Sequence, residues 1–135
     1  MATENLQEKY VMLQLIDTQI KEIEKELHAL ENRNTELITL KASLAGLGKV
    51  KAGSKTYSPI GLGIYAQGTI SDTKEVLVNV GSGVIVKKDL ESAKELLNSQ
   101  LRQSEEIILK LAQNLQMLAA RAHEVEHEIR DLGAK

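Results

Sequence analysis

Apolar side chains recur at alternating steps of three and four residues along both ends of the chain. In the first part, Leu6, Leu13, Ile20 and Leu27 follow one another at intervals of seven, with further apolar residues between them. The same spacing runs through residues 90–132. A seven-residue repeat sustained this long is typical of a coiled coil, because the stripe of an ordinary helix drifts around its surface. We therefore predict long helices in residues 1–45 and 89–135.

Residues 46–88 show a different pattern, with β-branched residues between turn residues. Gly46 and Gly48 are expected to end the first helix, and Asp89 to cap the second. The alternation of apolar runs and polar or glycine turns predicts four short strands. They are residues 56–60, 64–70, 75–80 and 84–87. The expected fold class is α+β, with an antiparallel two-helix coiled coil and a small two-hairpin β region.

The predicted strand region is too small to be stable alone. The runs 76–78 and 84–86 are wholly apolar, which indicates burial on both faces, yet large side chains to cover them are missing. Isolated hairpins are at best marginally stable in water. We expect several subunits to pool their strands in one barrel or stacked sheet. A small sheet packed on the base of its own coil is the alternative.

Two polar residues at seam positions predict how the helices align. An antiparallel pairing in which facing residue numbers add up to 138 places Asn34 opposite Ser104 and Leu13 opposite Val125. The competing alignment would leave both polar groups facing leucines, which costs about 1–3 kcal/mol for each unsatisfied group. We therefore predict an Asn34–Ser104 polar layer that fixes the register.

Some apolar residues near the chain ends lie off the seam. Tyr10, Val11, Met12 and Leu15 are in this group, as are Met117 and its alanine neighbours on the returning helix. Two helices cannot bury this surface between themselves, and exposed apolar patches usually mark interaction sites. Composition alone leaves two alternatives open, binding of varied partners and contact with a neighbouring arm of an oligomer.

Composition limits the function classes. The chain has no cysteine, tryptophan or phenylalanine, and 17 Lys and Arg stand against 19 Asp and Glu. These counts argue against disulfides, an aromatic-lined pocket and a nucleic-acid-binding stripe. The polar, acidic start and the lack of a long apolar run predict a soluble, intracellular protein.

Two short motifs match enzyme patterns in sequence but lack the structural context that those patterns need. His123 and His127 match the His-Glu-x-x-His zinc pattern, but Val125 between them is a seam residue, which turns both histidines to solvent. Residues 61–66 match a loose dinucleotide fingerprint, but a strand follows where the fingerprint needs a helix. We expect no catalytic site, no metal site and no cofactor.

The segments 58–65 (Ser-Pro-Ile-Gly-Leu-Gly-Ile-Tyr) and 76–88 (Val-Leu-Val-Asn-Val-Gly-Ser-Gly-Val-Ile-Val-Lys-Lys) strongly resemble the alpha subunit of archaeal prefoldin. The resemblance extends to the whole architecture and is sharpest in the strand region. Ser58, Leu62 and Ile64 depart from the residues that the family usually has there.

The resemblance implies an ATP-independent, cytoplasmic co-chaperone. Two alpha-type and four beta-type subunits would share a double β-barrel, and the coil tips would hold unfolded client proteins and pass them to a group II chaperonin. The residues implied to contact clients are Leu6, Tyr10, Met12, Leu13, Ile16, Val125, Ile129 and Leu132. Those implied in assembly are Ile60, Ile64, Tyr65, Ile70, Val76, Val78, Val80, Val84 and Val86.

Two alternatives to this function stay open. One is a structural coiled-coil scaffold whose ends bind nothing varied. The other is a filament-forming prefoldin relative that assembles with itself instead of with a beta partner.

Overall fold

The computed structural model describes residues 2–133, in which two long helices flank four strands. Helix α1 is Ala2–Leu47 and helix α2 is Leu90–Gly133. Strands β1 to β4 are Ser54–Gly61, Ile64–Ile70, Glu75–Gly81 and Val84–Asp89. The predicted fold class and element order are confirmed. Helix α1 continues two residues beyond the predicted end at residue 45.

The chain forms two compact units. The first, which we call the coil unit, consists of Met1–Asn34 and Gln103–Lys135. The second, the strand unit, is Thr35–Arg102 and contains all four strands with the adjoining ends of both helices. Each unit therefore has its own core and its own surface.

The core of the coil unit is the seam between α1 and α2. Ile16, Ala122 and Val125 are buried, and Val125 has no exposed surface at all. The partly buried side chains around them come from both helices: Met12, Leu13, Ile20, Leu118 and Ile129. The joint packing of Leu13 with Val125 agrees with the predicted antiparallel register. Removal of these side chains from water stabilises the pairing at roughly 25 cal/mol per Å² of apolar surface.

The predicted polar layer is present only in part. Ser104 is 6% exposed, so it is buried in the seam as expected. However, Asn34 Oδ1 and Ser104 Oγ both lack a hydrogen-bond partner within residues 2–133. A hydrogen bond requires a donor–acceptor distance of roughly 2.7–3.2 Å with suitable angles, and the two side chains do not meet that geometry. The expected hydrogen bond between them is thus not formed.

The strand unit contains two separate antiparallel hairpins, β1–β2 and β3–β4. Both turn in the same way: Leu62 and Gly63 have φ values of 48° and 80°, and Ser82 and Gly83 have values of 52° and 76°. Two successive positive φ values define a type I′ turn, whose twist suits a two-residue hairpin loop. Each hairpin also has a register shift just before its turn, between Pro59 and Gly61 and between Asn79 and Gly81.

The predicted helix cap is confirmed at the start of α2. Asp89 Oδ1 accepts a hydrogen bond of 2.7 Å from the backbone N–H of Ser92. This bond satisfies one of the N–H groups that the first turn of a helix leaves without a partner. It also lowers the pKa of Asp89 below its ordinary value, because the bond favours the ionised carboxylate.

Candidate interaction surfaces

The hairpins carry most of the exposed apolar surface of the strand unit. Leu62 at the first turn is fully exposed, and Ile60, Ile64 and Tyr65 beside it are also exposed. A leucine with a positive φ is unusual, since only glycine and a few polar residues enter this region readily. The type I′ turn requires this positive φ at residue 62, and the leucine side chain is left exposed there.

The two faces of the β3–β4 hairpin differ. On one face, Val76 and Val78 line an apolar cavity of about 380 Å³ together with residues of both helix ends. On the other face, Leu77 and Ile85 are well exposed. Successive strand residues point to opposite faces, so the two sets differ in exposure, although Leu77 also belongs to the lining of the cavity. The second face is the more exposed one.

The residues expected in assembly accordingly divide into two groups. Ile60, Ile64, Tyr65, Val80 and Val84 are exposed, whereas Ile70, Val76, Val78 and Val86 are partly buried. Four further exposed residues of the hairpins were not in the expected set: Tyr57, Leu62, Leu77 and Ile85. The period-two alternation of strands would have indicated Leu77, because it lies between two partly buried valines.

The residues expected to contact clients lie in the coil unit and also differ in exposure. Tyr10 is exposed, and Ile16 and Val125 are buried in the seam. The remaining members are partly buried: Leu6, Met12, Leu13, Ile129 and Leu132. Most of these side chains are therefore at least partly buried, and they contribute to the packing of the two helices.

Three apolar side chains that the expected client set omits are more exposed. They are Val11, Leu15 and Met117, and Met117 is 71% exposed. All three lie off the heptad seam. Composition alone left open whether they bind varied partners or a neighbouring arm of an oligomer. Their heptad positions were the available signal, because a residue outside the seam of a two-helix coil has no partner helix to cover it.

One ion pair and one hydrogen bond join the two helices in the coil unit, within the part of the chain that the structure describes. Lys9 Nζ lies 2.5 Å from Glu128 Oε2, which lowers the pKa of Glu128. Arg121 pairs with Glu124 at 2.9 Å and donates a hydrogen bond to the sulfur of Met12 at 3.4 Å. Such exposed pairs are worth about 0–1 kcal/mol each, so they orient side chains more than they stabilise the coil.

The histidine motif lies on the solvent side of α2. His123 and His127 are exposed, and His127 Nδ1 is 3.2 Å from Asp131 Oδ2. Within residues 2–133, His, Asp and Glu side chains form no group of three or more with the spacing of a metal site. In the same range, neither helix has a segment apolar and long enough to cross a membrane.

Charge is distributed unevenly between the units. The sequence of the coil unit has 13 Asp and Glu against 8 Lys and Arg, a net charge of −5. The strand unit has 6 acidic against 9 basic residues, a net charge of +3. The near-neutral total of −2 hides this separation. The exposed apolar residues of the coil unit thus lie in an acidic surrounding.

Comparison with known proteins agrees with this architecture. A family model described as "Prefoldin subunit" matches residues 16–135. The prefoldin subunit alpha of Thermofilum pendens is 25% identical over 94% of this chain and 96% of its own length. That of Nitrosopumilus maritimus is 27% identical, covering 98% and 90%. A cryo-EM structure of filamentous PFD from Methanocaldococcus jannaschii superposes with a TM-score of 0.76, at 20% identity, over 85% of this chain and 95% of that one.

Proposed function

Because this chain belongs to the prefoldin family, we propose that it is the alpha-type subunit of a cytoplasmic chaperone that holds non-native proteins without ATP. One observation supports this most directly. Apolar side chains are exposed both on the hairpins of the strand unit and on the helices of the coil unit. The first group suits fixed partner subunits, and the second suits varied clients.

The hairpins would complete their sheets with strands of other subunits. Each is only two-stranded, so every strand has an edge whose N–H and C=O groups lack a ladder partner. Two alpha-type and four beta-type subunits would form the complex. The exposed residues of the expected assembly set, extended by Leu77 and Ile85, would form the contacts.

Clients would bind at the coil end that carries Tyr10, with Leu6, Met12, Leu13, Ile129 and Leu132 contributing their exposed parts. Ile16 and Val125 would act by holding the two helices together there. The bound chain would then pass to a group II chaperonin. None of these steps requires catalysis, a metal or a cofactor.

Native mass spectrometry of the co-expressed subunits tests the assembly. We expect a mass equal to two copies of this chain and four of a beta-type partner. A polydisperse series built from this chain alone would instead support the filament-forming alternative.

An aggregation assay tests the holding activity. The assembled complex should suppress light scattering by an unfolding, unrelated protein in the absence of ATP, and should release it to a group II chaperonin. A structural scaffold would leave the scattering unchanged. That outcome would refute the proposed function while leaving the family assignment intact.

A further inference from the structure

A shallow groove runs beside the seam of the coil unit, and Leu118 of the seam contributes to its lining. It encloses a cavity of about 320 Å³, at the low end of the range of ligand pockets. Its lining, which we call the side groove, is formed by Gln19, Glu22, Ile23, Asn114, Met117 and Leu118. Three of these side chains are apolar and come from both helices, so the groove presents a continuous apolar floor.

The apolar surface continues from the side groove toward the start of α1. Leu15 lies four residues before Gln19, and Val11 lies four residues before Leu15, which places all three along one side of the helix. A second depression, lined by Glu4, Gln7, Glu8 and Val11, extends this path. Both Val11 and Leu15 are exposed. An extended segment of another chain could therefore contact apolar side chains along several turns.

Carboxylates border this path and lack counter-charges. Glu8 and Glu22 belong to the two depressions, and neither has an ion-pair partner within residues 2–133. By contrast, Glu124 and Glu128 of helix α2 are paired with Arg121 and Lys9. The net charge of −5 on the coil unit adds to the local potential. The free carboxylates next to an apolar floor would favour a ligand that carries positive charge.

We propose that the side groove binds segments of non-native polypeptides that are apolar and also carry Lys or Arg. Apolar side chains of the segment contact Met117, Leu118 and Ile23, while its cationic groups lie against Glu22 and Glu8. Methionine suits such a site because its flexible side chain adapts to different shapes. The charges contribute mainly selectivity and rate of encounter, and apolar contact contributes most of the affinity. This inference rests on the proposed holding function and specifies its client class.

Two fluorescent peptides of equal length test the selectivity. Both contain the same apolar segment, one flanked by lysines and the other by glutamates, and anisotropy is measured with the assembled complex. The lysine peptide should bind about tenfold more tightly at low salt, and the difference should shrink at high salt, where charges are screened within a few Å. Equal affinities, or tighter binding of the glutamate peptide, would overturn the proposal.

Single substitutions locate the site. Leu15→Ser and Met117→Ser should each weaken both peptides by about tenfold, because each removes an apolar contact. Leu109→Ser is the matched control, since Leu109 is 62% and Leu15 61% exposed, both on helices of the coil unit. Leu109 belongs neither to the two depressions nor to the path through Val11 and Leu15, and its substitution should change neither affinity. An equal loss in the control would mean that binding is not confined to the side groove.

Charge substitutions separate selectivity from affinity. Glu22→Gln should reduce the preference for the lysine peptide about threefold and leave the glutamate peptide unaffected or slightly tighter. Glu105→Gln is the control, because it removes an exposed carboxylate of the coil unit outside the groove. If the complex suppresses aggregation but ignores peptide charge, only this inference fails. If the complex suppresses no aggregation, the proposed function fails first.

Discussion

The coil unit and the strand unit both expose apolar side chains, but their backbones offer different opportunities. In the coil unit, the helical backbone satisfies its own hydrogen bonds, so a ligand meets side chains only. In the strand unit, each two-stranded hairpin leaves edge N–H and C=O groups that a further strand can pair with. Backbone pairing requires a defined register and direction, whereas side-chain contact tolerates many geometries. The same apolar character therefore favours a specific partner in one unit and varied partners in the other.

Charge reinforces this difference. The strand unit is basic and the coil unit acidic, although the whole chain is close to neutral. Acidic coil units repel one another at low ionic strength, which opposes their association. The strand unit has no such excess of carboxylates around its hairpins. If the two units have separate roles, a substitution in one unit should change the role of that unit and leave the other unchanged.

The double substitution Leu77→Lys and Ile85→Lys should disrupt assembly. Both side chains are exposed on the open face of the second hairpin. Loss of two buried aliphatic contacts weakens an interface by roughly 3–6 kcal/mol, or 10²- to 10⁴-fold in the dissociation constant. Native mass spectrometry should then show dissociated subunits, while circular dichroism still reports helices.

The matched control for this prediction is Ile107→Lys with Leu109→Lys. These side chains have similar exposure but lie on helix α2 in the coil unit. The oligomer should persist in the control. Dissociation of both variants to the same extent would contradict the assignment of assembly to the hairpins.

Val125→Ala should weaken the coil unit without affecting assembly. Val125 is the fully buried centre of the seam cluster, and truncation of a buried aliphatic side chain costs about 1–3 kcal/mol through lost contacts and a residual cavity. We expect a lower thermal midpoint of helix loss and weaker client holding, with an unchanged native mass. A change of subunit stoichiometry would show that the units are coupled.

Ser104→Ala should stabilise the coil unit. The Ser104 hydroxyl is buried and has no hydrogen-bond partner in residues 2–133, so its removal eliminates a desolvation cost without breaking a bond. The free energy of unfolding should rise by about 1 kcal/mol in urea titration. Ser43→Ala, at an exposed position, serves as the control and should change it little. A loss of stability in Ser104→Ala would indicate that the hydroxyl has a partner, such as an ordered water.

The start of helix α2 should be sensitive to acid. The N–H of Ser92 holds the pKa of Asp89 below its ordinary value of 3.8. The carboxylate therefore stabilises the folded state above that ordinary value, and this contribution is lost as pH falls through the lowered pKa. Asp89→Ala should have a lower thermal midpoint than the natural chain near neutral pH, and the difference should decrease in acid.

Asp89→Asn is the control for acid sensitivity. Asparagine also caps helices but does not titrate, so its variant should keep the helix start over the whole pH range. If both variants follow the same pH dependence as the natural chain, the acid sensitivity arises elsewhere. Asp72 would then be the next group to examine, because hydrogen bonds from the N–H groups of Lys74 and Glu75 lower its pKa in the same way.

Sequence reasoning predicted the elements well because their signals are local. The heptad spacing predicted both helices, the turn residues between the apolar runs predicted four strands, and Asp89 predicted the cap. Each of these signals depends on residues within a few positions of each other. The interaction surfaces stay predictions, because they depend on contacts between different chains. The resemblance placed Val125 in the expected client set, and in the structure Val125 is buried in the seam of the coil unit.

The sequence by itself determined the order and type of the elements, the antiparallel register and the apolar positions that lie outside the heptad seam. These follow from hydrophobic spacing and turn residues, which are properties of the chain read in order. Tertiary structure alone decided which apolar residues outside the seam remain exposed, as Met117 and Leu77 do. It also decided which carboxylates have no ion-pair partner within residues 2–133, as is the case for Glu22. It further decided that the side-chain oxygens of Asn34 and Ser104 are buried without a hydrogen bond between them. Exposure and pairing depend on the distances between atoms of different segments, and a pattern along one segment does not contain those distances.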